Sequence, residues 1–316
     1  PGAALPPAGT EVGDAIRAEG LLDQAIWQIW DEPQDETMWN ACRDLARLVK
    51  QGCPDARVYL TAGIKEALLD LVDIWCLPWP DTYNAERAAQ VLKRGKELFA
   101  YENSLYALDA PDSSLLLRYY PWRLRKYDVT GVEWWAVSQW KSNPWETANP
   151  YQPQNGGGYF LYPNPAGKGA PVDSIRWELY REGVEDYDLL TLYAREQDRV
   201  RQALRCRDER LSGAAQMQQL VGLVARDVAT VSRDATAADN ARRAAAARLE
   251  FLRQAPPVLV GVVNSPAGPE LRVVAAAGVK VTVNGQALPA GTASVPYRPG
   301  LRLEASQGPA RKGLTL

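Results

Sequence analysis

The strongest constraint on the fold is a regular alternation of short apolar runs and helical patterns up to about residue 200. The apolar runs lie at 25–30, 57–61, 72–77, 97–101 and 132–140. Strands that are apolar along nearly their whole length are typical of a parallel sheet covered by helices. Such a sheet is completed either as an open doubly wound sheet or as a (β/α)8 barrel.

The choice between these architectures depends on where the polar residues lie. No GxGxxG or GxxxxGK[ST] motif follows a strand, so nucleotide-binding open sheets lose their main support. The glycines at 156–158 lie in a long loop and indicate a turn. Polar residues gather at the carboxyl ends of the strands, among them Asp31, Glu32 and Thr61, and this end of a barrel carries the active site. We therefore predict an α/β fold with a TIM-like barrel.

The rest of the chain has a different composition. All 11 tryptophans lie between Trp27 and Trp177. Residues 196–255 are rich in Ala and Arg, lack Pro, and indicate helix, whereas the residues after Pro256 form short β-branched runs with a hairpin signal at Asn284-Gly285. We expect three parts: the barrel portion at 1–195, an Ala-rich helical extension at 196–256 and a small β-rich module at 257–316.

Composition excludes several classes of function. The chain has 36 Lys and Arg against 38 Asp and Glu, and a charge of −2 argues against nucleic acid or a membrane surface as main partner. With no histidine and no CxxC pair, His-dependent catalysis, metal binding and a cofactor are not expected. The composition does not identify the cellular compartment. A secreted or periplasmic protein is one candidate, and its signal peptide would lie outside this sequence.

Four stretches resemble glycoside hydrolase family 123 and its relatives, often labelled DUF4091. The sequence Ile-Trp-Asp-Glu-Pro at 29–33 is similar to the strand end that carries the family's catalytic Asp-Glu pair. The segments 122–140, 155–163 and 174–187 are similar to later parts of the same domain, and the last of them matches almost throughout. The resemblance covers roughly Leu21 to Leu192 in unbroken order.

The resemblance implies that the chain holds only part of a barrel. In the family the Asp-Glu pair ends the fourth strand, so the five strands here would be strands 4–8. Strand 25–30 would then be an apolar edge without a neighbour, completed by a missing N-terminal part or by another chain. The alternative is that 316 residues are the whole protein and the sheet is rearranged.

The resemblance also implies a mechanism, retaining and substrate-assisted, on terminal 2-acetamido-2-deoxy-β-hexosides of the N-acetylgalactosaminide type. Glu32 would be the general acid/base and Asp31 would orient the acetamide. Side chains of adjacent strand residues diverge, which does not suit the usual pair of separated carboxylates, and the spacing only permits these roles. The motif alone favours a structural interpretation instead, in which the two carboxylates lie near the N-terminus of the helix at Asp35/Glu36.

Aromatic residues are the candidates for carbohydrate binding, because a ring face packs against the apolar face of a sugar. Trp135 and Trp140 match family tryptophans on the last predicted strand, and Trp145 lies in the loop that follows. A tyrosine that binds the acetamide oxygen would be Tyr59 or Tyr101, and nothing local chooses between them.

Two other functions remain open. A glycosidase for another sugar would need a carboxylate on a later strand, for which Glu102 and Glu133 are candidates. A barrel that has lost catalysis would bind carbohydrate without hydrolysing it.

Within segment 174–187, Arg181 and Glu185 are four residues apart on one helical face, which favours a structural ion pair.

Overall fold

The computed structural model describes residues 10–102, 113–147 and 155–316. The chain divides into two compact units, one up to residue 113 together with 127–174, the other 114–126 together with 175–316. These units cut the chain differently from the expected boundaries at 195 and 256, and that three-part division stays a prediction.

The first unit alternates strands and helices. Its elements are α1 (Thr10–Ala18), β1 (Ile26–Asp31), α2 (Glu36–Gly52), β2 (Arg57–Thr61), a 3-10 turn (Glu66–Leu68), β3 (Ile74–Pro78), α3 (Ala85–Lys93), β4 (Glu97–Tyr101) and β5 (Gly131–Val132).

Strands β1 to β5 form one sheet in which each strand pairs in parallel with the next along the chain. The apolar residues of β2 and β3 are buried, as continuous apolar runs predict for a sheet covered on both faces. The α/β class is therefore confirmed. The sequential order contains no reversal among the described strands, whereas a doubly wound sheet reverses its strand order. Closure into a barrel stays a prediction.

Local capping decides where two of the helices begin. Oδ1 of Asp35 accepts a hydrogen bond from the backbone N–H of Met38 at 2.9 Å, and α2 begins at the next residue, Glu36. Oδ1 of Asn84 accepts from the N–H of Arg87 at 3.0 Å, and α3 begins at the next residue, Ala85.

The predicted strand at 132–140 is wrong beyond Val132. Pairing with β4 ends at Val132, and the chain then pairs with a loop instead. The N–H of Phe160 donates to the carbonyl of Val137 at 2.9 Å, and the N–H of Gln139 donates to the carbonyl of Gly158 at 2.9 Å. The tryptophans of this segment therefore do not alternate across a sheet.

Strand β1 forms one edge of the sheet. In the described part of the chain it pairs with β2 alone. Ile26 is 45% exposed at this edge. An exposed apolar side chain is expected where a further strand would cover it, and that strand stays a prediction.

The second unit contains α4 (Ser113–Lys126), α5 (Ile175–Ala203), a 3-10 turn (Glu209–Leu211), α6 (Gly213–Val224) and α7 (Ala237–Arg253). The helix expected throughout 196–255 is interrupted twice. Ser212 caps α6 through the N–H of Ala215, and Oδ1 of Asp227 accepts from the N–H groups of Ala229 and Thr230, which forms a turn before α7. None of the described helices is long and apolar enough to cross a membrane.

The C-terminal residues form antiparallel sheets. Their strands are β6 (Val258–Ser265), β7 (Gly268–Ala275), β8 (Lys280–Val283), β9 (Gln286–Ala287), β10 (Thr292–Pro296), β11 (Arg302–Gln307) and β12 (Ala310–Thr315), in sheets ordered β10-β7-β6 and β12-β11-β8-β9. Asn284 and Gly285 both have positive φ, 50° and 80°, and form the predicted hairpin turn between β8 and β9.

Candidate active site

One face of the parallel sheet carries the candidate site. Alternate side chains of β2, β3 and β4 pack together on this face: Tyr59, Ile74, Cys76, Phe99 and Tyr101. The ring centroids of Tyr59 and Phe99 are 5.9 Å apart. We call this surface the tyrosine face, and the carboxylates described below reach it.

A β-bulge in β1 aims Asp31 at the tyrosine face. Gln28 pairs with Tyr59, but Trp30 pairs with the next residue, Leu60, so one extra residue is accommodated between them. Asp31 consequently lies opposite Thr61 and hydrogen-bonds to its side chain. Without the bulge, Asp31 would lie one pairing position further along and its side chain would face the other side of the sheet.

Glu32 reaches the same face because of its own backbone conformation. Its φ of 47° is in the left-handed region, which ends the strand geometry directly after Asp31. The N–H of Glu32 still donates to the carbonyl of Thr61 at 2.9 Å, and its Oε1 accepts a hydrogen bond from the hydroxyl of Tyr101. The divergence expected of adjacent side chains is therefore wrong here, because both carboxylates contact the tyrosine face.

A third carboxylate, Glu133, belongs to this cluster. It follows β5 directly, and its N–H donates to the carbonyl of Ala100 at 3.0 Å. Its Oε2 accepts from the hydroxyl of Tyr59 and lies 3.3 Å from Oγ1 of Thr61. The sequence offered Glu133 only as a candidate for another sugar, and its position directly after a strand was the one signal for it.

The carboxylates influence one another electrostatically. Partial burial raises the pKa of Asp31, the negative charges of Glu133 and then Glu32 raise it further, and the hydrogen bond from Thr61 opposes the shift. Burial raises the pKa of Tyr59 and of Tyr101, with further contributions from Cys76 and Glu133 at Tyr59 and from Glu32 at Tyr101. Both phenols therefore keep their protons at neutral pH and act as donors.

The two tyrosines donate hydrogen bonds to different carboxylates. Tyr59 donates to Glu133 and Tyr101 donates to Glu32. A phenol has one proton, so either tyrosine would have to release its carboxylate before donating to a substrate oxygen.

Asp31 and Glu32 precede α2 but do not cap it. Asp35 already fills the capping position of α2. The side chains of Asp31 and Glu32 hydrogen-bond to Thr61 and Tyr101 instead.

The three candidate tryptophans lie on an exposed loop surface. Trp135, Trp140 and Trp145 are 47%, 40% and 49% exposed. The indole N–H of Trp140 donates to the carbonyl of Leu161 at 2.9 Å, and that of Trp145 to the carbonyl of Pro163 at 2.8 Å. These bonds fix both indoles to one backbone segment. The structure thus brings together Asp31, Glu32, Tyr59 and Tyr101, whereas Trp140 and Trp145 are held by the segment 161–163.

The motif at 174–187 lies in the second unit and forms structural contacts there. Arg181 pairs with Glu185, as the spacing predicted, and with Glu178 at 2.7 Å. Asp186 is fully buried and accepts from the indole of Trp122 at 3.0 Å and from Arg242 at 2.6 Å. These bonds tie α5 to α4 and α7.

Among the described residues, no three His, Cys, Asp or Glu side chains are arranged so that they could hold a metal ion together. A family model described as the catalytic domain of glycoside hydrolase 123 matches residues 10–193. The chain belongs to glycoside hydrolase family 123. The resemblance of the four motifs is confirmed, and all carboxylates and tyrosines of the candidate site lie inside the family 123 match. No curated protein matches the chain.

Solved structures agree with this assignment at the level of the fold. A structure described in terms of glycolipid glycan hydrolysis by a family 123 glycoside hydrolase from Clostridium perfringens has a TM-score of 0.53 and 14% identity. The alignment covers 77% of this chain and 44% of that protein, so the family 123 chain here spans less than half of its relative's length. A β-glucuronidase from Bacteroides uniformis reaches a TM-score of only 0.22, at 11% identity and over 89% and 31% of the two chains, and carries no argument.

Proposed function

We propose that the protein is a retaining glycoside hydrolase that removes terminal 2-acetamido-2-deoxy-β-hexoses, of the N-acetylgalactosamine type, with the substrate's acetamide as nucleophile. The observation that supports this most is the pair of adjacent carboxylates, Asp31 and Glu32, both held against the tyrosine face. Two neighbouring carboxylates at one sugar ring suit a reaction in which the substrate supplies the nucleophile.

In the first step the acetamide oxygen attacks the anomeric carbon. The bond to the leaving oxygen breaks as Glu32 gives that oxygen its proton, and a cyclic oxazolinium forms. Asp31 accepts a hydrogen bond from the acetamide N–H and stabilises the positive charge.

In the second step water attacks the anomeric carbon from the face that the leaving group vacated. Glu32, now ionised, takes a proton from this water, and the ring opens to restore the acetamide. Two inversions at one carbon give net retention.

The aromatic residues would bind the sugar in this proposal. Tyr101 orients Glu32 through the hydrogen bond that it donates. Trp135, Trp140 and Trp145 expose ring surface on which sugar units of the substrate could stack.

We also propose that β1 to β5 are the last five strands of a (β/α)8 barrel and that the remainder of the barrel covers β1. The parallel order without reversal and the exposed Ile26 at the edge support this.

Turnover of aryl β-glycosides by the full-length gene product tests the proposal. N-acetylgalactosaminide, N-acetylglucosaminide and plain galactoside are compared, and the anomer of the first product is identified by NMR. We expect turnover of acetamido sugars alone and a β product. Turnover of galactoside at a similar rate would favour a glycosidase of another type, and sugar binding without turnover would favour a non-catalytic barrel.

A further inference from the structure

The hydroxyls of Tyr59 and Thr61 both approach the same carboxylate oxygen of Glu133. Oε2 is held by the hydroxyl of Tyr59, with the hydroxyl of Thr61 3.3 Å away. Both of these contacts are made to Oε2, and the thiol of Cys76 on β3 also hydrogen-bonds to the carboxylate. Glu133 as a whole is half-buried, so the residue is partly accessible to solvent or a ligand.

The carboxylate is fixed in place before any ligand binds. Tyr59 and Thr61 lie two residues apart on β2 and therefore present their hydroxyls on the same face. The backbone N–H of Glu133 is bound to Ala100, which fixes the residue at the end of the sheet. An acceptor that is oriented in advance loses little freedom on binding a donor.

Glu133 is also close to the proposed catalytic pair. Asp31 lies opposite Thr61 in the sheet, and Oγ1 of Thr61 is 3.3 Å from Oε2 of Glu133. A pyranose ring whose acetamide contacts Asp31 would therefore place other ring substituents within reach of Glu133.

We propose that Glu133 is a specificity-determining residue whose Oε1 accepts a hydrogen bond from a hydroxyl of the terminal sugar. This rests on the proposed function, since it assumes that a sugar ring binds between Asp31 and Tyr101. An ionised carboxylate accepts hydrogen bonds and cannot donate them, so it selects a hydroxyl and rejects an ether or a methylene at the same position.

The test crosses variants of Glu133 with substrates that lack single hydroxyls. Wild type and Glu133→Ala are compared on the aryl glycoside and on its 3-deoxy, 4-deoxy and 6-deoxy analogues. We expect Glu133→Ala to lower kcat/KM on the complete sugar about 10- to 100-fold, as for a lost hydrogen bond to a charged group. On the analogue that lacks the recognised hydroxyl, wild type and variant should be nearly equal.

A penalty that is the same for every analogue would overturn the proposal and leave Glu133 with the role of holding Tyr59. Tyr59→Phe provides the comparison, because it removes the hydroxyl bound to Oε2 and leaves Oε1. Its penalty should not depend on which hydroxyl the substrate lacks.

The proposal and the proposed function fail in different ways. If sugars without an acetamide are turned over, the substrate-assisted mechanism is wrong. Glu133 is then tested by the same comparison of wild type and Glu133→Ala on a galactoside and its deoxy analogues. If nothing is turned over, calorimetric binding of the free sugar and its deoxy analogues to the two proteins replaces kcat/KM. Absence of both turnover and binding contradicts both proposals.

Discussion

The hydroxyl of Tyr101 donates a hydrogen bond to Oε1 of Glu32, which joins the last residue of β4 to the residue that follows β1. Three strand spacings separate β1 from β4, or about 14 Å in a flat sheet. Side chains that stand perpendicular to a flat sheet would not meet across that distance. The bond from Tyr59 on β2 to Glu133 after β5 spans the same number of strands. The sheet therefore curves toward the tyrosine face, which supports the proposed barrel.

Loss of the Tyr101 hydroxyl should impair catalysis more than binding. We expect Tyr101→Phe to lower kcat about 10- to 100-fold, the effect of one hydrogen bond to a charged group, with little change in KM. Steady-state kinetics on an N-acetylgalactosaminide measures this. Tyr83→Phe is the control, because the Tyr83 ring packs on Trp79 and Tyr127 away from the carboxylates, at centroid distances of 5.0 and 4.8 Å. Equal effects of the two variants would contradict the role given to Tyr101.

Replacement of Glu32 should remove the acid/base step. We expect Glu32→Gln to lower kcat at least ~100-fold, since the amide cannot give a proton to the leaving oxygen. Glu36→Gln, four residues further on in the first turn of α2, is the matched control and should retain wild-type kinetics. Circular dichroism would show whether both variants fold. A folded Glu32→Gln protein with full activity would rule out Glu32 as the acid.

The pH dependence of kcat/KM should report the ionisation of Asp31. Its pKa is raised by partial burial, Glu133 and Glu32, so the ionised form that holds the acetamide is reached only above the usual range of an aspartate. The pH at which kcat/KM falls on the acidic side, the acidic limb of the profile, should therefore be higher than an ordinary aspartate would give.

Glu133→Gln removes one of the like charges and should move this limb to lower pH, because Asp31 then loses its proton more easily. The pH at the midpoint of the acidic limb does not depend on how far the variant lowers the maximum of kcat/KM. Glu36→Gln should leave the limb in place. An unchanged limb, or one moved to higher pH, in Glu133→Gln would contradict this electrostatic account.

The glycine of the motif in α5 should be required for packing. A Cβ on Gly183 would overlap the carbonyl oxygen of Arg118 and lie 3.0 Å from Cγ and Cδ of Pro121. Although alanine favours a helix, we expect Gly183→Ala to lower the free energy of unfolding by about 1–3 kcal/mol, as overpacking does.

Gly222→Ala is the matched control, since Gly222 lies inside α6 with open space around its Cβ position. It should raise the free energy of unfolding by up to about 1 kcal/mol through helix propensity alone. Urea unfolding of the two variants compares them. A stabilised Gly183→Ala protein would show that α4 and α5 are not packed as described.

Much of the first unit could be predicted because its signals are local. Continuous apolar runs predicted β1 to β4, and Asn84 is a residue type that commonly begins a helix, as it does at α3. The segment after Val132 has an equally apolar pattern, but it pairs with residues 158–161, which lie 19 to 24 positions further along the chain. No periodicity within a segment reveals a non-local partner of this kind.

Only part of the candidate site could be predicted, because the rest of it also depends on contacts between distant segments. Asp31 and Glu32 were found through the family motif. That both reach one face depends on the bulge in β1 and on the left-handed backbone of Glu32, and neither position carries the glycine that would have indicated it. Glu133 became a site residue through contacts with Tyr59 and Thr61, more than seventy positions earlier in the chain.

The central claim, that the substrate's own acetamide is the nucleophile, is tested most directly by weakening that nucleophile. The measurement is kcat of the wild-type protein on aryl glycosides whose N-acetyl group carries zero, one, two or three fluorine atoms. Fluorine withdraws electrons from the acetamide oxygen, so the account predicts that kcat falls steeply with each atom added. A kcat that does not depend on fluorination would contradict it and show that the nucleophile comes from the protein or from water.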